Sequence, residues 1–133
     1  MKKTTISLLQ ILLSLTFLIP SESCKKEKHE DHEVSIKILS PSQGATVTNP
    51  FLLHINFNSD EEIHDIEVKI RKSNAGSSEP NAFEFSTHTH EKYFELKDSI
   101  FIPVSSLTTF ELKAQAGEES HRSESKINFS IQP

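Results

Sequence analysis

Two histidines separated by one residue, His88 and His90, are the side chains of this chain best suited to bind a metal ion. In a β-strand, residues two apart project from the same face, with backbone positions about 6.5–7 Å apart. From that distance two imidazoles can converge on one ion, with metal–nitrogen bonds of about 2.0–2.1 Å. Neutral imidazole suits zinc or copper far better than calcium. The pair is therefore a candidate zinc or copper site, whereas two exposed side chains without a ligand are the favoured interpretation, since the motif is short.

A zinc or copper site needs at least one more protein ligand beside this pair. Five side chains elsewhere in the sequence could supply it after folding, and the sequence alone does not choose among Glu84, Glu91, His54, His64 and His121.

The elements that must position these side chains are β-strands, because from Val34 onward the apolar residues recur at every second position. Phe83 and Phe85 share one face of a predicted strand, so His88 and His90 fall on its solvent-facing side together with Glu84. A polar loop is expected over residues 73–81, and turns at Lys97-Asp98 and from Gly117. The predicted strands cover residues 34–38, 51–57, 66–70, 83–87, 93–96, 100–104, 110–116 and 127–131.

About seven short strands within residues 34–133 predict an all-β domain, an antiparallel sandwich of two sheets. The alternation gives each sheet one buried and one solvated face. The chain contains no tryptophan and one cysteine, which excludes the disulfide-linked core of antibody domains.

Two stretches of this domain resemble bacterial Ig-like modules. Residues 38–47, ILSPSQGATV, are similar to their opening stretch, and residues 109–117, TFELKAQAG, to their penultimate strand and turn. The resemblance implies an Ig-like or fibronectin-like sandwich, with Phe110 at a position where tyrosine is common. Residues 87–91, THTHE, also resemble a stretch in small lipoproteins of unknown function that carry His-x-His.

Residues 1–23 have the three parts of a cleaved signal peptide. Lys2 and Lys3 give a positive start, residues 6–19 are apolar, and small residues flank Glu22 before Cys24. An apolar run of about 14 residues is shorter than the roughly 20 needed to span a bilayer.

Cys24, directly after this segment, resembles the cysteine that receives acyl chains in bacterial lipoproteins. Cleavage by the ordinary signal peptidase, which would leave a free thiol, is the alternative. Residues 24–33 carry charged or histidine side chains after the cysteine, so we expect a disordered tether. The resemblance implies a lipid-anchored protein of the bacterial cell envelope, and Lys25 in the second mature position points to the outer membrane.

Composition and motifs narrow the function. The formal net charge of −5 argues against nucleic acid as a partner, because binding it requires neutralising phosphates. No nucleophile elbow, phosphate loop or dinucleotide fingerprint occurs, so we expect no enzyme, although a hydrolase with an unrecognised site stays open. The expected function is a non-catalytic binding or accessory module, whose partner is an envelope protein or surface polymer. The alternative is a zinc- or copper-binding lipoprotein.

Overall fold

The computed structural model describes residues 33–76, 78–119 and 121–133. The predicted signal peptide, Cys24 and the tether up to His32 lie outside this part of the chain. No helix among the described residues has the length and apolar character to cross a membrane. All regular secondary structure in the described ranges is β-strand, which confirms the all-β prediction. The strands are β1 (Ser35–Ser40), β2 (Thr46–Thr48), β3 (Phe51–Asn58), β4 (Asp65–Lys72), β5 (Phe83–His88), β6 (Tyr93–Ile100), β7 (Thr108–Ala116) and β8 (Ser123–Gln132).

The strands form two sheets that pack as a β-sandwich. One sheet has the order β1-β3-β6 and the other the order β2-β8-β7-β4-β5. The prediction that every strand pair is antiparallel is wrong at one place, because β2 runs parallel to β8. The chain reaches β2 by leaving the first sheet after β1 and joining the edge of the second sheet beside β8.

The core lies between the sheets and is built from the inward positions of the alternating strands. Three fully buried phenylalanines illustrate it: Phe57, Phe110 and Phe129. The Phe129 ring lies 6.0 Å from Phe110 and 5.4 Å from Phe51, centroid to centroid. Burial of such rings contributes most of the favourable free energy of folding. The described residues contain no buried polar or charged side chain.

The predicted turn at Lys97-Asp98 is wrong, and so is the predicted strand over residues 100–104. A single strand, β6, runs through this dipeptide, with Lys97 opposite His54 and Asp98 opposite Leu53 on β3. Neither residue is a glycine or proline, so pairing with β3 overrides their weak turn tendency. Asp98 is exposed although it has the parity of the buried Leu96, and β6 forms the edge of its sheet. A charge on the inward side of an edge strand discourages pairing with another chain.

Strand β2, which the sequence pattern did not predict, is held by the segment that carries the chain between the sheets. Gly44 has φ of +75° there, and its N–H donates to the carbonyl of Asn128 at 2.7 Å. The Ser130 N–H donates to the carbonyl of Ala45 at 2.8 Å. These bonds fix the short strand beside β8.

The chain enters the sandwich beside the start of β8. The backbone N–H of Val34 donates to Ser123 Oγ at 2.9 Å, and the Val34 side chain is buried. Ser123 pairs with Ala116 on β7, which in turn pairs with Ile66 on β4. Residue 34 therefore lies at the end of the sandwich where β4 begins.

We expect Gly117→Ala to lower the free energy of unfolding by about 2 kcal/mol, within the range for a strained backbone position. Gly117 has φ of +114°, and a Cβ there would collide with the backbone carbonyl oxygen of His121. Gly44→Ala is the matched control, since a Cβ at Gly44 meets no atom within 4 Å. This control should lower the free energy of unfolding by only ~1 kcal/mol, the cost of placing a residue with a Cβ in the left-handed backbone region. Urea denaturation measures both, and equal losses would contradict the steric explanation.

Candidate metal site

The hairpin formed by β4 and β5 brings the predicted histidine pair next to a third histidine. In an antiparallel hairpin the end of the second strand lies beside the start of the first. Asp65 at the start of β4 pairs with His88 at the end of β5. Beyond the strands, the N–H of Thr89 donates to the carbonyl of His64 at 2.9 Å. His64 is thereby fixed beside the segment that carries His88 and His90.

Two segments that cross between the sheets build this end of the molecule. Residues 59–64 lead from β3 to β4, and residues 89–92 lead from β5 to β6. They run side by side, because the Ile63 N–H donates to the Glu91 carbonyl and the Ser59 N–H to the Lys92 carbonyl, both at 2.9 Å. The Ile63 side chain is fully buried in the core, which fixes the backbone position of its neighbour His64.

His64, His88 and His90 form a cluster, here called the three-histidine site. One ring nitrogen from each can be chosen so that all three atoms lie within 4.8 Å of one another. The ring centroids are 5.7, 5.3 and 4.9 Å apart, so the rings surround a common point. Around a tetrahedral ion with bonds of about 2.0–2.1 Å, ligand atoms are ~3.3 Å apart. Binding therefore requires the rings to close inward by an ångström or so, within reach of small side-chain rotations.

Carboxylates lie within hydrogen-bonding distance of two of these rings. His88 Nδ1 lies 2.9 Å from Asp65 Oδ1, and His90 Nδ1 lies 3.1 Å from Glu62 Oε2. With Nδ1–H donating to a carboxylate, the neutral ring keeps the lone pair on Nε2 for a metal. His64 Nε2 is 3.6 Å from Glu118 Oε1, too long for a hydrogen bond.

Electrostatics at the site favour a cation. The hydrogen bond with His88 lowers the pKa of Asp65 from its ordinary 3.8, and attraction to His88, Arg122 and His64 lowers it further. Asp65 is therefore ionised at neutral pH and places a full negative charge beside the imidazole. Together with Glu62, it supplies negative potential beside the three imidazoles.

The structure separates the other predicted third ligands from the pair. His54 lies in the other sheet, where its Nε2 is 2.7 Å from Glu95 Oε1. Glu84 pairs with Lys69 and Asn81. Glu91 and His121 are also outside the cluster that the described residues form around His88 and His90. Of the five predicted candidates, His64 is the one that the fold brings to the pair.

The three-histidine site is open to solvent. The side chains of His88 and His90 are 57% and 64% exposed. Next to His64 lies a shallow cleft of about 400 Å³, which is lined by Asp60, Glu61, Glu62, His64 and Lys92. An ion bound here is consequently accessible from outside the protein.

The sequence contained enough information to predict His64 as the third histidine, but assigning each strand separately did not reveal it. Strands 66–70 and 83–87 are consecutive and joined by a single loop, so a hairpin was their natural arrangement. Pairing them in register places the residue before the first strand beside the residues after the second. The same register places Asp65 opposite His88, and Glu62, in the segment before β4, contacts His90.

We expect Asp65→Asn to weaken zinc or copper binding about 10- to 100-fold without unfolding the protein, because a partner that fixes a ligand's ring contributes that much. The asparagine keeps the shape but lacks the charge and can present its amide hydrogens to the ring. Glu95→Gln, which alters the matching carboxylate–histidine pair in the other sheet, is the control and should leave affinity unchanged. Isothermal titration measures both, and equal affinities in the two variants would contradict the role of Asp65.

No family model and no curated protein matches this chain. Among solved structures, an engineered protein with a crystal structure at 1.98 Å resolution is similar to it, with a TM-score of 0.49 and 12% sequence identity. The similarity covers 76% of this chain and 20% of the engineered chain, so this chain spans about a fifth of that protein's length.

Proposed function

We propose that this protein is a non-catalytic binding module whose ligand is a divalent transition metal, zinc or copper, held by His64, His88 and His90. The observation that carries the proposal is the convergence of three imidazoles whose ligand atoms lie within 4.8 Å. Two of them are oriented by carboxylates in the manner of histidine ligands in metalloproteins.

The donor set selects the kind of metal. Three imidazoles without a carboxylate among the inner donors suit zinc, copper or nickel, whereas calcium requires six to eight oxygens. The acidic stretch around Glu62 serves as the partner of the histidines and not as an oxygen cage, since Glu62 and Asp65 each face a ring nitrogen.

Binding is favoured over catalysis by the openness of the site. Three histidines with a free fourth position also occur at catalytic zinc. Catalysis at such an ion relies on a dry, shaped cavity that orients the substrate. Here two ligands are more than half exposed and the neighbouring cleft is shallow. An esterase assay on the zinc-loaded protein should therefore show no rate above that of free zinc.

We further propose that the sandwich is of the Ig-like, fibronectin-related type. The strand order supports it: β5 pairs beside β4, and not beside β6 as in the four-stranded sheet of antibody constant domains. The switch of the chain between sheets at Ser40-Pro41 to Gly44 falls within the stretch that resembles the opening of bacterial Ig-like modules.

We also propose that residues 1–23 are a signal peptide and that Cys24 is acylated, which anchors the protein to the bacterial cell envelope at the outer membrane. Nine residues, 25–33, separate the cysteine from Val34, whose backbone N–H donates to Ser123. Cys24→Ser should move the protein from the membrane fraction to the soluble fraction. Unchanged membrane association would contradict the anchor.

Metal titration of the full chain, purified in detergent, tests the main proposal. Zinc and copper(II) should each bind with a dissociation constant below ~1 mM at one ion per chain. The double variant His88→Ala/His90→Ala should lose this binding. Binding that persists unchanged in that variant would place the metal elsewhere, for instance at the two histidines of the predicted tether, His29 and His32, and would overturn the proposal.

A further inference from the structure

The three-histidine site offers three side-chain donors. His64, His88 and His90 supply three nitrogens, and the described residues add no fourth side chain to the group. Zinc is four-coordinate in most protein sites, so an ion bound here keeps a position for water or an incoming ligand. We propose that this position serves direct metal exchange, in which an acceptor bonds to the ion before the histidines release it. The inference rests on the proposed function and deepens it.

The ligands of the three-histidine site are accessible from solvent. The imidazoles of His88 and His90 are 57% and 64% exposed, and the cleft beside His64 has a volume of about 400 Å³. An incoming side chain can therefore approach the ion along the cleft without displacing any strand. A site built to retain its ion would instead close the coordination sphere with a fourth protein ligand.

The rim of the cleft indicates the chemistry of the acceptor. Asp60, Glu61 and Glu62 place three carboxylates beside the site. The ammonium of Lys92 donates to the backbone carbonyl of Asp60 at 2.7 Å and is the one cation that lines the cleft. This negative rim repels anionic chelators, attracts cationic ligands and does not hinder neutral ones. The acceptor is accordingly a nitrogen donor without negative charge, such as a histidine-bearing peptide segment.

The exchange step requires no reagent other than the bound ion and the acceptor. A lone pair on an acceptor nitrogen forms the fourth bond to the divalent ion and displaces water. As more acceptor nitrogens bind, the three imidazoles leave one after another, and each keeps its own lone pair. The ion stays divalent throughout, and one imidazole lone pair replaces another at the metal, so no oxidant or reductant is needed.

Stopped-flow transfer from the copper(II)-loaded full chain tests the inference. One acceptor is a fluorescent hexahistidine peptide, whose emission copper quenches, and the other is the anionic chelator EDTA, followed by copper absorbance. The observed rate should rise in proportion to acceptor concentration over about a tenfold range. At equal concentration and low salt it should be greater for the peptide. A rate independent of acceptor concentration means that the ion leaves for water first, which overturns direct exchange.

Charge variants test the acceptor class. Asp60→Asn/Glu61→Gln removes rim charge without altering the three histidines or the carboxylates bonded to them. The double variant should lower the ratio of the transfer rate to the peptide over the transfer rate to EDTA about threefold or more. Glu79→Gln, an acidic residue in the loop at the opposite end of the sandwich, is the matched control and should change nothing. An unchanged preference in the rim variant would overturn the assignment of the acceptor.

The failures of the two proposals are distinguishable. If titration of the wild-type chain detects no copper that depends on His64, the proposed function fails, and the exchange with it. If such copper binds but its release does not depend on the acceptor, only the exchange fails. Transfer that persists in His64→Ala is assigned to other sites and subtracted.

Discussion

Replacing His64 with alanine should lower the affinity for zinc or copper about 100-fold or more, close to 3 kcal/mol. The change removes one of three ligands, so its effect should be at least as large as the 10- to 100-fold loss that follows removal of a partner behind a ligand. The two remaining imidazoles, His88 and His90, would hold the ion with two donors in water. Isothermal titration of the full chain with each metal measures the loss.

His54→Ala is the matched control for this substitution. His54 is likewise a histidine hydrogen-bonded to a carboxylate, but it lies on β3 in the other sheet and faces Glu95. Its removal should leave metal affinity within twofold of the wild type. If both alanine variants bind zinc as the wild type does, His64 is not a ligand, and the three-histidine site reduces to a pair.

Phe110→Ala should lower the free energy of unfolding by about 3–5 kcal/mol, the usual cost of deleting a buried aromatic ring. The Phe110 side chain is fully buried on β7 and packs beside Phe129, whose ring also contacts Phe51. The cavity would lie where the inward faces of the two sheets meet. Because domains of this size have about 5–15 kcal/mol of stability in total, the variant should be marginal. Thermal denaturation should show a midpoint lowered by roughly 15–30 °C.

Phe101→Ala provides the control for lost aromatic surface. Phe101 follows β6 and is 67% exposed, so its truncation should change stability by no more than about 0.5 kcal/mol. If Phe110→Ala were as stable as Phe101→Ala, the core described for the sandwich would be wrong. Both variants should keep the three-histidine site, which lies at the other end of β4 from the loop that precedes β7.

Alternation of apolar residues predicted most of the fold because one buried face per sheet imposes a period of two. It holds along β3, where Phe51, Leu53, Ile55 and Phe57 are all buried. The alternation did not predict elements whose structure depends on pairing with another strand more than on their own sequence pattern. Thr46–Thr48 is too short to show a period, and it is a strand because β8 pairs with it. Lys97 and Asp98 are polar enough to suggest a turn, yet both pair with β3 within one continuous strand.

The candidate site was predictable in part for the same reason. His88 and His90 are neighbours in sequence, so their common side followed from strand geometry. His64 is 24 residues before His88, and it joins them only through the register of β4 with β5. The sequence therefore placed it among several possible third ligands. The orientation of the rings by Asp65 and Glu62 depends on atomic contacts that no pattern of residue types specifies.

The hydrogen bond from Val34 to Ser123 marks the end of the sandwich at which the chain enters it. The chain arrives at the end of the sandwich that also carries the histidines, whereas the loops at 73–82 and 101–107 lie at the opposite end. Any surface to which the segment before Val34 attaches the protein would therefore lie nearer the imidazoles than those loops. If that surface is a bilayer, its anionic headgroups would enrich divalent ions in the narrow layer of solvent where the histidines sit. Lengthening the stretch before Val34 should then weaken loading on vesicles that contain anionic lipid, while loading in detergent stays the same.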